Sequence, residues 1–489
     1  MNKLKYIHLF LITVITICFV GCKSSSTVST KHEYHLNREF RGAWIQCVNG
    51  QFMGISTEAM QNDLIHQLDE LKRDGINTII FQVRAECDAL YESDIEPWSR
   101  FLTGQQGKAP SPYWDPLEFM VEECHSRGME LHAWINPYRA KTKTTHQLST
   151  SHIAITNPEL CFRYDDLLIL NPGIPENREY ILKVVKDIVK RYDIDGLHID
   201  DYFYPYPAPG NVIQDKVQYQ QYGEDFSDIN DWRRDNVNTF IREMNTTIHK
   251  IKPWVKFGVS PFGIYRNKSV SPNGSNTNGL ANYDDLYADI LLWVEEGWID
   301  YNVPQLYWQI GHPVADYKEL IHWWNDNAYN RPLIIGEDVE RIVKYDQMQE
   351  KMQLERTLPN IQGSCQWYSR VVVNNIGGYA TKLRTDYFND YAFNIEMPWL
   401  SDRRPDAPKK LKIITTEDGR VLFWTEPSGK KWDVEPVEYA VFKDGKLYGI
   451  TQNTFIRIPA QKGSKKTEYA VCALNRLQHN GPFASIITK

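Results

Sequence analysis

The chain has 489 residues, 42% of them hydrophobic and 13% aromatic, with a formal net charge of −7. That length predicts two or three domains and ample core. With no strongly basic block, nucleic acid is excluded as an expected partner, while 15 Trp and 28 Tyr suit both core filling and carbohydrate handling.

Residues 1–21 read as a secretory leader: Lys3 and Lys5 precede an apolar run from Ile7 to Val20, followed by Gly21. Gly21-Cys22 resembles the lipobox of bacterial lipoproteins. That resemblance implies lipidation at Cys22 and a cell-envelope location on a bacterial membrane, expected to be the outer one, on its periplasmic or surface side. The apolar run is short for a membrane span. Residues 22–37, polar from Ser24 to Thr30, then read as a tether. Cys47, Cys87, Cys124, Cys161, Cys365 and Cys472 are scattered without a C-x-x-C pair, so no zinc ribbon or redox motif is evident. Cys47 and Cys87 fall near the ends of neighbouring predicted strands, where either a disulfide or two buried thiols fits.

Residues 38–400 alternate strands with helices. Strands are predicted over 42–47, 77–83, 130–135, 196–200, 256–260, 301–306, 333–336 and 364–368, and helices over 57–74, 115–127, 175–192, 231–251, 283–297, 317–327 and 343–356. Val237, Phe240, Ile241, Met244, Ile248 and Ile251 share one face of the fourth helix, and Asp228 or Asp231 can cap it. Ile181, Val184, Val185 and Ile188 do the same in the third. Eight strands alternating with helices predict an α/β fold, a (β/α)8 TIM barrel. No Gly-rich phosphate loop follows the first strand, which argues against a doubly wound nucleotide-binding sheet.

Prolines and charges over 401–408 mark a linker. From 409 to 489, short alternating runs at 411–415, 421–424, 439–443, 454–458 and 469–475, separated by Asp418-Gly419 and Asp444-Gly445, predict a small all-β sandwich. Trp424 and the run Tyr469–Arg476 resemble a fibronectin type III domain. A spacer, a weak glycan-binding module or a surface for cell-envelope protein partners is expected of it, without chemistry.

Barrel enzymes carry reacting groups at the carboxyl ends of their strands. The fourth strand leads into D-G-L-H-I-D-D-Y-F-Y-P-Y-P (195–207), where Asp200 and Asp201 precede Tyr202, Phe203, Tyr204 and Tyr206. Paired acids beside aromatic rings fit sugar cleavage, in which one carboxyl donates a proton and another attacks carbon or activates water, while rings stack on pyranose faces. The bland alternative is a cap at a strand-to-loop junction. Glu86, after the second strand, is the expected proton donor, against a plain salt bridge to Arg84 or Arg139. Asp200 is the expected nucleophile or base and Asp201 its tuner. Glu337, after the seventh strand, is a second candidate acid, although Glu337–Arg341 also reads as a helix start. Arg84, Asn136, Tyr138, Arg139, His198, Tyr202, Tyr204, Gln305, Tyr307 and Trp308 are expected to bind the sugar. No second cluster stands at ligand spacing around His198, Asp200 and Asp201, so neither metal nor cofactor is expected.

Six stretches in order carry a wider resemblance: R-G-A-W (41–44), G-I-N-T-I-I-F-Q-V-R (75–84), H-A-W-I-N-P-Y-R-A (132–140), D-G-L-H-I-D-D-Y-F-Y-P (195–205), F-G-V-S-P-F-G-I-Y-R-N (257–267) and P-Q-L-Y-W (304–308). Together they resemble the glycosyl-hydrolase-10-like family, once a domain of unknown function, across residues 38–400. The resemblance implies an O-glycosyl hydrolase. Divisome-localised members act on peptidoglycan strands stripped of peptides, so that glycan or another polysaccharide is the implied substrate. The arrangement is similar to alpha-amylase-type barrels, whose nucleophile ends strand four, where Asp200 falls. Glu337-Asp338 and the C-terminal sandwich depart from the commoner family pattern. The competing expectation is a surface lipoprotein that binds glycan without turning it over.

Overall fold

The computed structural model describes residues 32–142, 146–416, 419–460 and 466–488. The leader, Cys22 and most of the tether lie outside these residues. Among those described, no helix is long and apolar enough to cross a membrane.

Eight parallel strands close into a barrel: β1 (Phe40–Ile45), β2 (Thr78–Arg84), β3 (Glu130–Ile135), β4 (Gly196–Ile199), β5 (Lys256–Val259), β6 (Tyr301–Asn302), β7 (Leu333–Asp338) and β8 (Ile361–Trp367). Each strand pairs with its sequence neighbours, and β1 pairs with both β2 and β8. The predicted (β/α)8 fold is therefore present, with strand starts and ends moved by a few residues. The sixth strand is only two residues long because Pro304 cannot donate to the ladder.

The fourth helix runs over Ile229–Ile251 and buries Val237, Phe240, Ile241, Met244 and Ile248, with Asp228 accepting a cap bond from the Asn230 amide. Two predicted helices are broken. The 283–297 segment divides at Tyr287, whose backbone is left-handed at φ 56°. The segment around 343–356 divides at Asp346, which ends the helix Val339–Tyr345 in the same conformation before the helix Met348–Thr357. A three-stranded antiparallel sheet over 139–141, 161–164 and 167–170, unforeseen in the sequence, stands on the loop after β3.

A polar column fills the barrel axis. From the amino-terminal end it runs through Lys256 and Glu130, His132, the Tyr301 hydroxyl and His198 to Ser260. Glycines make room for it: a Cβ on Gly258 would lie 1.9 Å from the Tyr301 ring, and one on Gly196 2.6 Å from the His132 ring. Each buried polar atom in the column meets a neighbour, which offsets the cost of desolvating it. Above the column, Trp44, Trp134 and Trp367 meet edge to face, with centroids 6.1 and 6.2 Å apart.

The C-terminal region is an all-β domain of two antiparallel sheets. One contains β9 (Lys409–Thr416), β10 (Gly419–Thr425) and β13 (Phe455–Ile458). The other contains β11 (Glu438–Lys443), β12 (Lys446–Thr451), β14 (Thr467–Leu474) and β15 (Ala484–Thr488). Two of these strands, β12 and β15, were not foreseen. Trp424 packs in the core between the sheets with Leu422, Tyr439 and Val471. The domain sits on the barrel floor, at the amino-terminal ends of the strands. Arg476 pairs with Asp193 at 2.7 Å, Trp432 packs on Trp254, and Leu477 joins the apolar cluster of Phe40 and Tyr301. The 401–408 segment is docked as well: Arg404 bonds Glu396 and the Asn480 carbonyl.

Candidate active site

Period-two alternation decides what faces the barrel mouth. His198 and Asp200 share the inner face of β4 and its extension. Asp200 is 5% exposed and Asp201 1%. Asp200 Oδ2 accepts from the side-chain amide of Asn136, which follows β3. The orientation of that amide is set from behind. Gln82 Oε1 accepts from the backbone amides of Cys47 and Val48 at 2.9 and 3.0 Å, so Gln82 Nε2 must face Asn136 Oδ1, which it reaches at 2.7 Å. Asn136 is left with its NH2 toward Asp200.

Asp201 Oδ2 accepts from the Tyr206 hydroxyl, while nearby Gln305 donates from Nε2 to the Ser260 carbonyl at 3.0 Å and also favours the ionised form of Asp201. Burial raises both acids. For Asp200 the charge of Asp201 adds to burial and takes it to about 7; for Asp201 the bonds from Tyr206 and others partly offset burial and leave it at about 6. Two nearby carboxyls in a closed site cannot both ionise freely. The charge of Arg139 lowers both without an ion pair to either among the described residues, its guanidinium lying 3.7 Å from the Tyr202 ring centre.

Rings surround the acids. Tyr202 stacks on Tyr206 at 5.4 Å, Tyr206 meets Phe262 edge-on, and Phe262 meets Trp308 at 5.3 Å. Tyr307 stacks on Trp367. A cavity of about 330 Å³ opens between the 202–208 loop and the small sheet, lined by Tyr138, Arg139, Tyr164, Tyr202, Tyr204 and Tyr206 among others, with neither carboxyl of the pair in its wall. A larger cleft of about 1020 Å³ lies at the other end, between the barrel floor and the sandwich, away from the carboxyl pair.

Several expected site residues stand elsewhere. Glu86 is fully buried and accepts from Arg100 at 2.8 Å and from the Thr142 amide at 2.6 Å. Burial pushes this carboxyl up, but the Arg100 and Thr142 bonds and the Arg100 charge outweigh it and hold it below its ordinary value. A carboxylate so saturated is a fixed anion, unsuited to donating a proton. Arg84 is fully buried in a forked pair with Glu96 at 2.7 and 2.8 Å, and also bonds the Pro137 carbonyl. Its reach toward sugar is lost because all three of its side-chain nitrogens are engaged and the side chain is fully buried.

His198 is buried in the polar column, its pKa pushed well below the ordinary value by burial and by His132. It supports the floor under Asp200 and contacts no open space. Tyr138 packs on Phe240, and Tyr204 packs on Tyr287 within the helix layer. Both rings pack outward from the barrel, and both residues also border the cavity beside the 202–208 loop. Glu337 also points outward, because Ile334, Gly336 and Asp338 take the inner face of β7. It meets Tyr317, and Lys351 at 2.7 Å, inside the helix layer. Cys47 and Cys87 are free, buried thiols.

Asn136, Arg139, Tyr202, Gln305, Tyr307 and Trp308 do gather at the mouth, Asn136 against Asp200 rather than toward open space. Tyr206, Gln82 and Asp338 are functional candidates to which the sequence assigned no specific role. Asp338 follows from alternation once the inner face of β7 is known. It sits at the rim, caps the helix Val339–Tyr345 through the Arg341 amide and lies 3.4 Å from Arg341 Nε. Among the described residues, no group of three or more His, Cys, Asp and Glu could hold a metal ion.

Known proteins resemble the chain at two levels, sequence and fold. The chain is 39% identical over 481 residues to glycosyl hydrolase YngK of Bacillus subtilis (strain 168), covering 93% of this chain and 94% of that one. It is 42% identical over 276 residues to glycosyl hydrolase DigH of Escherichia coli (strain K12), covering 54% of this chain and 62% of that one. Among solved structures, the glycoside hydrolase domain of PgaB (BpsB) from Bordetella bronchiseptica superimposes over 71% of this chain and 98% of its own, at 11% identity and a TM-score of 0.47. The match to the family model over residues 39–353 makes the sequence assignment direct: this chain belongs to the glycosyl hydrolase-like 10 family.

Proposed function

We propose that the chain is a lipid-anchored O-glycosyl hydrolase of the bacterial cell envelope, acting on denuded peptidoglycan strands or another polysaccharide. The observation that carries the reading is the buried pair Asp200 and Asp201, both raised, beside Arg139 and a wall of aromatic rings. Near neutral pH the pair holds one proton. Asp200, the more strongly raised, keeps it and protonates the leaving glycosidic oxygen. Asp201, supported by Tyr206 and Gln305, stays ionised and attacks the anomeric carbon or activates water. Tyr202, Tyr206, Trp308 and Tyr307 offer stacking faces, and Arg139 offers donors to the sugar.

The experiment is release of reducing ends from denuded peptidoglycan strands and from a panel of polysaccharides. Comparing the wild type with Asp200→Asn and Asp201→Asn makes it specific. Turnover by the wild type that both variants lose supports the reading. Sugar binding without turnover by the wild type overturns it in favour of a glycan-binding lipoprotein. Acylation at Cys22 is checked separately, by the mass of the protein extracted from membranes.

A further inference from the structure

We infer that the sandwich is a stand-off post, which turns the barrel mouth away from the membrane and toward glycan lying well above the lipid surface. The inference rests on the lipid-anchor reading proposed above for Cys22, and on the path of the chain between the tether and the barrel.

The first described residues run along the side of the sandwich. His32 lies 3.5 Å from Glu468 and beside Gly445, at the tip where β11 turns into β12. Tyr34 stacks on Phe483 at 4.7 Å and meets Phe442 edge-on. Asn37 and Glu39 then bond Phe393 through the backbone, at 2.9 and 3.0 Å, and β1 begins at Phe40 on the barrel floor. Glu438, at the other end of β11, faces the floor beside Lys72 and Gly128. The tether therefore joins at the β11–β12 turn, on the floor side of the barrel and away from its mouth, where Lys446 borders the cleft between sandwich and floor.

The axis of the molecule follows. The tether entry and the sandwich both lie on the floor side of the barrel, and the mouth lies at its other end. At about 3.3 Å per strand residue, barrel strands of 6 and 7 residues put the mouth on the order of 20 Å beyond the floor. Residues 22–31 add at most about 35 Å. The docking is broad: Arg476 on Asp193, Trp432 on Trp254 and Gln452 on the His125 carbonyl all fix the sandwich to the floor. Such a post favours a polymer held away from the bilayer and disfavours a sugar attached to a lipid head.

Energy transfer to a membrane dye tests the orientation. Two labelling sites are exposed: Lys446 at the sandwich tip, and Val212 in the loop after Asp201, which is 77% exposed. Lys446→Cys and Val212→Cys would each carry one donor dye on the full mature chain. Vesicles of phosphatidylethanolamine and phosphatidylglycerol would carry an acceptor lipid. The expected result is transfer from position 446 at least twice that from position 212. Equal transfer, or more from position 212, overturns the orientation. A second arm replaces Cys22 by a His-tag held on nickel-lipid vesicles, so the geometry is read without acylation. Loss of transfer in the acylated arm alone overturns the lipid anchor; reversed order in the His-tag arm overturns the post.

Discussion

Asn136 presents its amide NH2 to Asp200, and it can present nothing else, because Gln82 holds its carbonyl oxygen. A donor fixed in this way stabilises the ionised form of Asp200 and keeps its carboxyl in one rotamer. Asn136→Ala removes both effects. Expected is a fall in kcat of about tenfold to a hundredfold with little change in KM, and a shift of the alkaline limb of the pH–rate profile to higher pH. A purely structural residue would lower stability and leave the limb where it was.

The pair itself sets the pH profile. The proton on Asp200 is lost as pH rises through about 7, and Asp201 loses its charge as pH falls through about 6. A narrow bell between those limits is expected for kcat/KM, its two limbs belonging to the pair as a whole. Tyr206→Phe removes a bond that favours ionised Asp201, so the acid limb should move upward. An acid limb unchanged in that variant would remove Tyr206 from the site.

Stability should move with the same group. Asp200 binds its proton more tightly in the folded chain than when unfolded. Its contribution is fully present below the unfolded carboxylate pKa near 4 and is lost as pH rises through about 7. Asp200→Asn abolishes that dependence, so the melting temperature of the variant minus that of the wild type should grow between pH 4 and pH 8. Thermal melts across that range, beside a loss of turnover of about 10²–10⁴-fold, test the assignment.

Glu86 and Glu337 should behave as structural anions. Glu86→Gln leaves Arg100 without its charge partner, and Glu337→Gln does the same to Lys351, each pair being almost wholly buried. Each change should cost about 3 kcal/mol of stability in denaturant melts. Residual turnover in the folded fraction of Glu86→Gln should stay within about tenfold of the wild type. A stable but inactive Glu86→Gln protein would return Glu86 to the donor role.

The barrel was legible because repeated short apolar strands and one-faced helices are local patterns, and packing layers them in few ways. Asp200, Asp201, Arg139, Tyr202 and Gln305 were legible as mouth residues because they sit at strand ends, where the fold itself exposes them. What misled was proximity along the chain. Arg84, the last residue of β2, and Glu86 stand only two residues apart, yet each is buried against its own partner, Glu96 and Arg100, which come from the loop and short helix that follow.

Sequence by itself determined the order of elements and the family to which they belong, because period and motif are properties of neighbouring residues. Only the tertiary structure decided the charge state and direction of each side chain. Glu337 faces the helices and Asp338 the mouth because β7 alternates, and the Asp200 carboxyl is raised to about 7 because the closed barrel removes water and brings Asp201 beside it. Those are effects of burial and of partners drawn from distant parts of the chain, and no local pattern carries them.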